Sequence, residues 1–189
     1  MNQMRRKDRE MDKSFAYSVI DKAEFGTLAT INEDGNPYCI PVSIARKDDK
    51  IYFHSAKLGT KIENIMRNSN VCMSFVGDVH VPEELNENKI SNESEENIRK
   101  ALDTRFTTEF ESAVIFGKIS IVDDREEKIL GLRLITEKYC PKDMPFFDAA
   151  IDISYNITYV LRIDIETVTG KRKKFDKNGI EMKWGRMEQ

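Results

Sequence analysis

The stretch that decides the fold is residues 28–55, which read LATINEDGNPYCIPVSIARKDDKIYFHS. Apolar and polar side chains alternate along much of this stretch, which is typical of strands with one buried face. The Asp34-Gly35 step predicts a tight hairpin turn, and the polar residues 48–50 predict a second reversal of the chain. Residues 28–55 are therefore predicted to form two hairpins built from three antiparallel strands.

Pro41 restricts where the middle strand of this stretch can lie. Its nitrogen carries no hydrogen, so it cannot donate to a neighbouring strand. We therefore expect the strand around Pro41 to lie at an edge of the sheet, or to be bulged there.

Helical patterns lie on both sides of this stretch. Apolar residues at helical spacing predict two longer helices, one from Asp12 to Gly26 and one from Asp124 to Pro141. A shorter helix is predicted after residue 59, because Thr60 and Glu63 match the spacing of a capping box.

Three further segments, Val71–Gly77, Ala113–Ile121 and Ile157–Ile165, have strand character. Together with the three strands of residues 28–55 they make six, and no rhythm of strand, helix and parallel strand occurs. Closing an antiparallel sheet into a barrel hides its edges. The expected fold is therefore mainly β, a six-stranded antiparallel barrel with flanking helices.

The composition excludes several classes of protein. With 189 residues, 40% of them hydrophobic, the chain is expected to form a single domain with a core at about residues 12–170 and a polar tail at 171–189. The net charge of −3 argues against a nucleic-acid-binding protein, which would be strongly basic. No apolar run exceeds four residues, so neither a membrane span nor a signal peptide is predicted. We expect a cytoplasmic location.

The cysteines and histidines predict no metal centre. Three cysteines at positions 39, 72 and 140 contain no paired motif, so reduced, buried thiols are expected. Two histidines without further ligand spacing make a zinc enzyme unexpected. Residues 82–103 are interpreted as an acidic excursion, since 82–97 carries six acids against one lysine.

The densest polar cluster is His54-Ser55-Ala56-Lys57-Leu58-Gly59-Thr60-Lys61, where a strand leads into a helix. Free N–H groups at a helix start, hydroxyls and ammonium groups together suit an anion such as phosphate. Ordinary helix capping with surface lysines remains an alternative at this point. The basic run at residues 171–174 is a second, weaker candidate for phosphate contact.

Several blocks of the sequence occur in the order typical of one family. They are Arg5–Glu10, Gly26–Thr30, Asp34–Tyr38, Pro41–Ser43, Ile51–Ala56 with Gly59 and Lys61, and Phe106–Lys118. Over residues 5–140 the chain resembles the pyridoxamine-phosphate-oxidase-like FMN-binding split barrels, in the branch of the 5-nitroimidazole-resistance (Nim-type) proteins.

The resemblance implies a homodimer with one FMN in each of two clefts between the subunits. It implies that the flavin ring lies along Ile40, Pro41, Val42 and Ser43, and that the phosphate is held by Phe53, His54, Ser55, Thr60 and Lys61. It also implies that Glu111 and Ser112 approach the cleft. His54 occupies the position of the reactive histidine of some Nim-type proteins, so a catalytic role is expected for it.

The function implied is that of an FMN-dependent oxidoreductase, which reduces small electrophiles such as nitroaromatics with a nicotinamide donor. The alternative is a carrier of FMN or haem without turnover, with His54 or His80 as axial ligand to the haem. Vitamin B6 oxidation is not expected, because contacts to a substrate phosphate are not recognisable in the tail. The link at 82–97 is longer than is usual in this family.

Overall fold

The computed structural model describes residues 4–82 and 94–183. Its five α-helices are α1 (Lys13–Lys22), α2 (Thr60–Arg67), α3 (Glu95–Arg105), α4 (Arg125–Tyr139) and α5 (Phe147–Ser154). Its eight strands are β1 (Glu10–Met11), β2 (Gly26–Ile31), β3 (Pro37–Val42), β4 (Ala45–Lys47), β5 (Lys50–Ala56), β6 (Asn70–His80), β7 (Glu109–Ile121) and β8 (Thr158–Lys173). Short 3₁₀ turns occupy Lys7–Arg9 and Pro141–Phe146.

The strands form one antiparallel sheet in the order β3-β2-β6-β7-β8-β5-β4, with β1 paired to β8. The predicted class, mainly β with flanking helices, is confirmed, but eight strands replace the predicted six. Both hairpins of residues 28–55 are present, as β2–β3 and β4–β5. The position of Pro41 at an edge is also confirmed, because β3 is the terminal strand of the order.

The sheet is not closed, which confirms the split barrel that the resemblance implies and differs from the closed barrel that strand alternation alone suggests. The middle strand of residues 28–55 is divided into β3 and β4, which lie at opposite edges of the sheet and do not pair with each other. Ser43 and Ile44 alone connect them along the chain. The two edges of the sheet are therefore connected along the chain but not by strand pairing. We call the gap between these two edges the split.

This short connection forces the sheet to curl. A flat sheet would separate β3 from β4 by six strand spacings, roughly 29 Å at about 4.8 Å each. Two connecting residues span at most about 11 Å between Val42 and Ala45. The curled sheet encloses a core to which α1 contributes Ala16, Val19 and Ile20, all without exposed surface.

The helix starts at Asp12 and Asp124 are confirmed. Each carboxylate accepts a hydrogen bond from the backbone N–H three residues later, at 2.8 Å in both cases. Helix α1 ends at Lys22 rather than at Gly26, which begins β2. Within the acidic excursion, α3 begins after Ser94, whose hydroxyl accepts from Asn97 N–H at 3.3 Å, and residues 83–93 of that prediction lie outside the described part.

Helix α4 covers the outer face of β5 and β8. Its Gly131 lies so close to the sheet that a Cβ there would come within 2.8 Å of Val160 and 3.1 Å of Tyr52. The Tyr52 hydroxyl donates to Glu127 of the same helix at 2.8 Å. This contact fixes α4 on the sheet and brings its last turn to the split.

The cysteines do not all follow the prediction of buried thiols. Cys39 and Cys140 are exposed and Cys72 is half-buried, and all three are free. Cys39 is exposed because it lies on the outer face of β3, where strand alternation turns it away from the core.

In the described part of the chain, no helix is long and apolar enough to cross a membrane.

Candidate functional site

The start of α2 lies three residues beyond the end of β5. Gly59 is the N-cap residue, with φ of 113°, and no side chain caps the helix. Space is open around the position that a Cβ of Gly59 would take. The predicted capping box is wrong, because the turn places Gly59 at the cap and makes Thr60 the first helical residue. The end of the helix is accessible from solvent as a result.

Strand alternation sorts the side chains that lead into this helix. Phe53 is fully buried in the core and Ser55 is 7% exposed, whereas His54 is exposed on the outer face. The Ser55 hydroxyl donates to the carbonyl oxygen of Ala56 at 2.9 Å. Of the predicted phosphate residues on β5, His54 therefore has the accessible side chain.

Lys61 is turned back toward the end of β5. Its Nζ lies 5.5 Å from the centroid of the Phe53 ring, and the residue is half-buried. Within the described part of the chain, Lys61 forms no ion pair, and burial lowers the pKa of its ammonium group. Burial lowers the pKa of His54 as well, and the charge of Lys61 lowers it further. The Lys61 ammonium group thus places a positive charge next to a His54 imidazole whose protonation it disfavours.

Asn64 fixes α2 to the β2–β3 hairpin, and nothing in the sequence pattern marked it. The side chain is 1% exposed, and its amide nitrogen donates to Thr30 Oγ1 at 3.0 Å and to Asn32 Oδ1 at 2.8 Å. Its oxygen accepts from Arg67 at 3.3 Å. A buried amide with all these partners satisfied holds the helix in one orientation. A polar residue on the apolar face of a short helix is the signal that could have found it.

The predicted ring-binding residues form the other wall of the split. Ile40 and Val42 pack against the core, while Pro41 and Ser43 are exposed. The pairing of β4 with β5 ends at Ala45 and Tyr52, and Ser43 and His54, each two residues further on, lie where the two edges are no longer paired. Both side chains are exposed. The structure thus brings the predicted ring strand and the predicted phosphate residues to the two sides of one split.

Glu111 and Ser112 do not join this group within one chain. On β8, Glu111 is paired with Arg172 while His54 is paired with Val160. Those twelve positions correspond to roughly 40 Å along the strand. Along β8, the two residues are therefore paired near the opposite end of the strand from His54.

Two adjoining cavities lie around the connection between α1 and β2. One, of about 580 Å³, is lined by Asp21, Lys22, Glu24, Phe25, Ser43, Lys138 and Tyr139. The other, of about 380 Å³, shares Lys22, Glu24 and Phe25 and extends to β6 at Val76 and Gly77. Val76 is paired with Ser112. Ser43 and Ser112 therefore flank neighbouring openings on one side of the sheet.

Metal ligation has no obvious place in this arrangement. Over residues 4–82 and 94–183, no group of three histidine, cysteine, aspartate or glutamate side chains could hold a metal ion. His80 lies on β6 with its Nε2 4.0 Å from a Glu109 carboxylate oxygen, remote in register from His54.

The antiparallel sheet curls, and its two terminal strands are connected by the chain but remain unpaired with each other. This arrangement is that of the split-barrel proteins. Residues 15–171 match the family described as Pyridoxamine 5'-phosphate oxidase. The match spans most of the chain, and the protein belongs to this family. Comparison with curated proteins finds no match.

Solved structures share the fold. A proposed 5-nitroimidazole antibiotic resistance protein from Bacteroides thetaiotaomicron is 25% identical, with a TM-score of 0.65 and 86% of each chain covered. The FAD and heme binding protein from Mycobacterium smegmatis has a TM-score of 0.67 at 15% identity, covering 87% of this chain and 73% of its own. The flavocytochrome Anf3 from Azotobacter vinelandii has a TM-score of 0.64 at 16% identity, covering 89% and 72%.

The electrostatic coupling of Lys61 to His54 can be tested without any ligand. Replacing Lys61 by Met removes the ammonium charge that disfavours a protonated imidazole, so the pKa of His54 should rise. Titration of the His54 ring protons by NMR measures the shift. As a control, Lys50→Met removes another cation of β5, one that is paired to Glu127 of α4. This change should leave the His54 pKa unchanged. Equal pKa values of His54 in wild type and Lys61→Met would contradict the arrangement.

Proposed function

We propose that this protein binds FMN, with the phosphate at the start of α2 and the ring along β3. The observation that carries the proposal is the pair Lys61 and His54, which lies beside an uncapped helix start without a described carboxylate partner. Family membership supports it, as do the flavins in the names of structures that share the fold.

The groups present at the helix start fit a phosphate monoester. Lys61 offers a charge-assisted hydrogen bond, and the open cap at Gly59 leaves room for an anion to approach the positive end of the helix. Thr60 is exposed and offers a hydroxyl. Ser55 is already donating to Ala56 O, so it would take part after rotation of its hydroxyl. These residues would hold the phosphate by hydrogen bonds and charge.

The unpaired side of β3 suits the polar edge of a flavin ring. As a terminal strand, β3 uses one side for β2 and leaves the backbone groups of its other side toward the split. Pro41 removes one N–H from this strand, while Ser43, in the link that follows it, adds an exposed hydroxyl. In this proposal the residues 40–43 orient the ring and His54 lies at its edge.

We propose further that the protein is an oxidoreductase which reduces small electrophiles such as nitroaromatics with a nicotinamide donor. The bound flavin would supply the two-electron redox chemistry. The lowered pKa of His54 keeps its imidazole neutral near pH 7, so it can donate or accept one hydrogen bond at the ring edge or to an acceptor. The 25% identity to the proposed nitroimidazole resistance protein supports this choice of substrate class.

The homodimer implied by the resemblance is likewise a proposal. The strand partners of His54 and Glu111 lie twelve residues apart on β8, and in this proposal a second copy brings its own Glu111 and Ser112 to the ligand. The outer face of β2, β6 and β7 offers a docking surface, with Phe116 42% and Val76 61% exposed. By register, Cys39, Ala29, Cys72 and Phe116 form one row across this face.

The phosphate contact is tested by Lys61→Ala. The loss of a charge-assisted hydrogen bond should weaken FMN binding by about 1.5–3 kcal/mol, roughly 10- to 150-fold in Kd. The protein is first freed of flavin and then titrated with FMN. The quenching of flavin fluorescence during this titration measures the Kd.

The control for this variant is Lys174→Ala, in the basic run that was the second candidate for phosphate contact. It removes an equal charge from an exposed position and should leave the Kd for FMN unchanged. Loss of affinity in Lys174→Ala with none in Lys61→Ala would place the phosphate at the other end of the sheet.

An absorbance spectrum with a Soret band and no flavin bands would instead favour the haem carrier.

Turnover is tested by NADPH oxidation in the presence of a 5-nitroimidazole. We expect oxidation to depend on the acceptor, and His54→Gln to lower kcat about 10²-fold at saturating FMN, because glutamine cannot exchange a proton as imidazole does. Tight FMN binding without acceptor-dependent oxidation over a panel of nitroaromatics would identify a flavin carrier instead.

The dimer is tested by Phe116→Glu. A carboxylate in the middle of the proposed interface should convert a dimer into a monomer in sedimentation velocity, because it buries an unpaired charge, and FMN affinity should fall with it. The matched control, Phe146→Glu, changes a phenylalanine that is 70% exposed in the 3₁₀ turn after α4. Wild-type protein that sediments as a monomer with FMN bound would refute the interface.

A further inference from the structure

The connection between β3 and β4 buries a backbone that the sheet does not satisfy. Ile44 has no exposed surface, and it belongs to neither strand. Its N–H donates to the hydroxyl oxygen of Tyr139 at 3.0 Å. A buried N–H without a partner is costly, so this hydroxyl is what makes the buried connection stable.

The same hydroxyl serves a second connection of the chain. Its proton faces two carbonyl oxygens, Glu24 O at 2.5 Å and Ile44 O at 3.0 Å. Next to it, Lys138 Nζ donates to Ala23 O at 2.8 Å. The end of α4 thus binds the loop between α1 and β2 and the link between β3 and β4 at one point.

We propose that Tyr139 is a positioning residue that sets the split between β3 and β5, and thereby places Ser43 for the ligand. Its effect on the ligand rests on the proposed FMN site. Tyr139 and Ser43 line the same cavity of about 580 Å³. Since the link has two residues, a change at Ile44 is transmitted directly to Ser43 and to the start of β4.

The state of the phenol suits this role. Burial raises the pKa of Tyr139, while the hydrogen bond from Ile44 and the Ser43 hydroxyl lower it. The net pKa lies above the ordinary value of tyrosine, so the hydroxyl keeps its proton at neutral pH and acts as donor and acceptor together.

Tyr52 provides a matched comparison. It is 2% exposed, and its hydroxyl joins β5 to α4 by donating to Glu127 at 2.8 Å. Glu127 also accepts from Arg162 at 2.9 Å. Tyr52→Phe therefore removes one hydrogen bond that a tyrosine makes between α4 and the sheet, but it does not touch the backbone of the link.

The experiment compares Tyr139→Phe with Tyr52→Phe. In Tyr139→Phe we expect the Ile44 amide to exchange with deuterium about 10- to 100-fold faster, because its acceptor is lost. The Kd for FMN should rise about tenfold, in parallel with a shift of the visible circular dichroism of the bound flavin. Tyr52→Phe should change neither the Ile44 exchange rate nor the Kd by more than about twofold.

The outcomes separate the positioning role from the proposed function. If wild-type protein binds no FMN, the FMN proposal fails, and the exchange rate of Ile44 still decides whether Tyr139 holds the link. An Ile44 amide that exchanges equally in wild type and Tyr139→Phe overturns the proposal. Equal increases of Kd in both variants also overturn it, since they would show a general loss of stability.

A variant that does not fold leaves two further measurements. In wild-type protein, the Ile44 amide must be protected although no strand pairs with it, and exchange at the rate of an exposed loop would overturn the proposal. Lys138→Met removes the hydrogen bond to Ala23 O and the 5.4 Å contact of the ammonium group with the Tyr139 ring, but it leaves the Tyr139 hydroxyl and should preserve the protection of Ile44. Loss of that protection in Lys138→Met would overturn the assignment to Tyr139.

Discussion

The two-residue link between β3 and β4 is the constraint on which the rest of the structure depends. It joins the opposite edges of a seven-strand path, and a span of about 11 Å can be met only if the sheet curls. The curl creates an interior, which α1 fills, and a split, beside which α2 begins. The helix α4 then supplies, through Tyr139, the hydrogen bonds that the unpaired backbone of Ile44 lacks.

The candidate site depends on the same constraint. At the link the chain passes from β3 to β4, and β3 stays unpaired with the end of β5. Polar side chains on the outer faces of β3 and β5 therefore lie beside the split. Asn64 fixes α2 against the β2–β3 hairpin, so Lys61 is held near His54 by tertiary contacts that originate elsewhere. The charge of Lys61 disfavours protonation of the neighbouring His54, and a perturbed pKa of this kind beside an opening is typical of a functional site.

Local patterns predicted what local physics controls. The Asp34-Gly35 turn, the caps at Asp12 and Asp124 and the edge position of Pro41 each follow from a backbone preference or a missing donor at that residue. The capping box failed for a related reason. The pattern of Thr60 and Glu63 assigns the cap to Thr60, but the turn after β5 has a positive φ at residue 59. Gly59 therefore takes the cap position.

The sequence by itself determined the hairpins, the antiparallel class and the cluster of residues 54–61 at the junction of a strand and a helix, because these depend on neighbours in the chain. Its resemblance to split barrels also determined the family. Only the long-range pairing of the chain shows that one apparent strand serves two edges, that Glu111 and His54 pair near opposite ends of β8, and that Asn64 and Tyr139 hold the two walls of the split. These features depend on pairings between residues distant in sequence, whose geometry no local periodicity encodes.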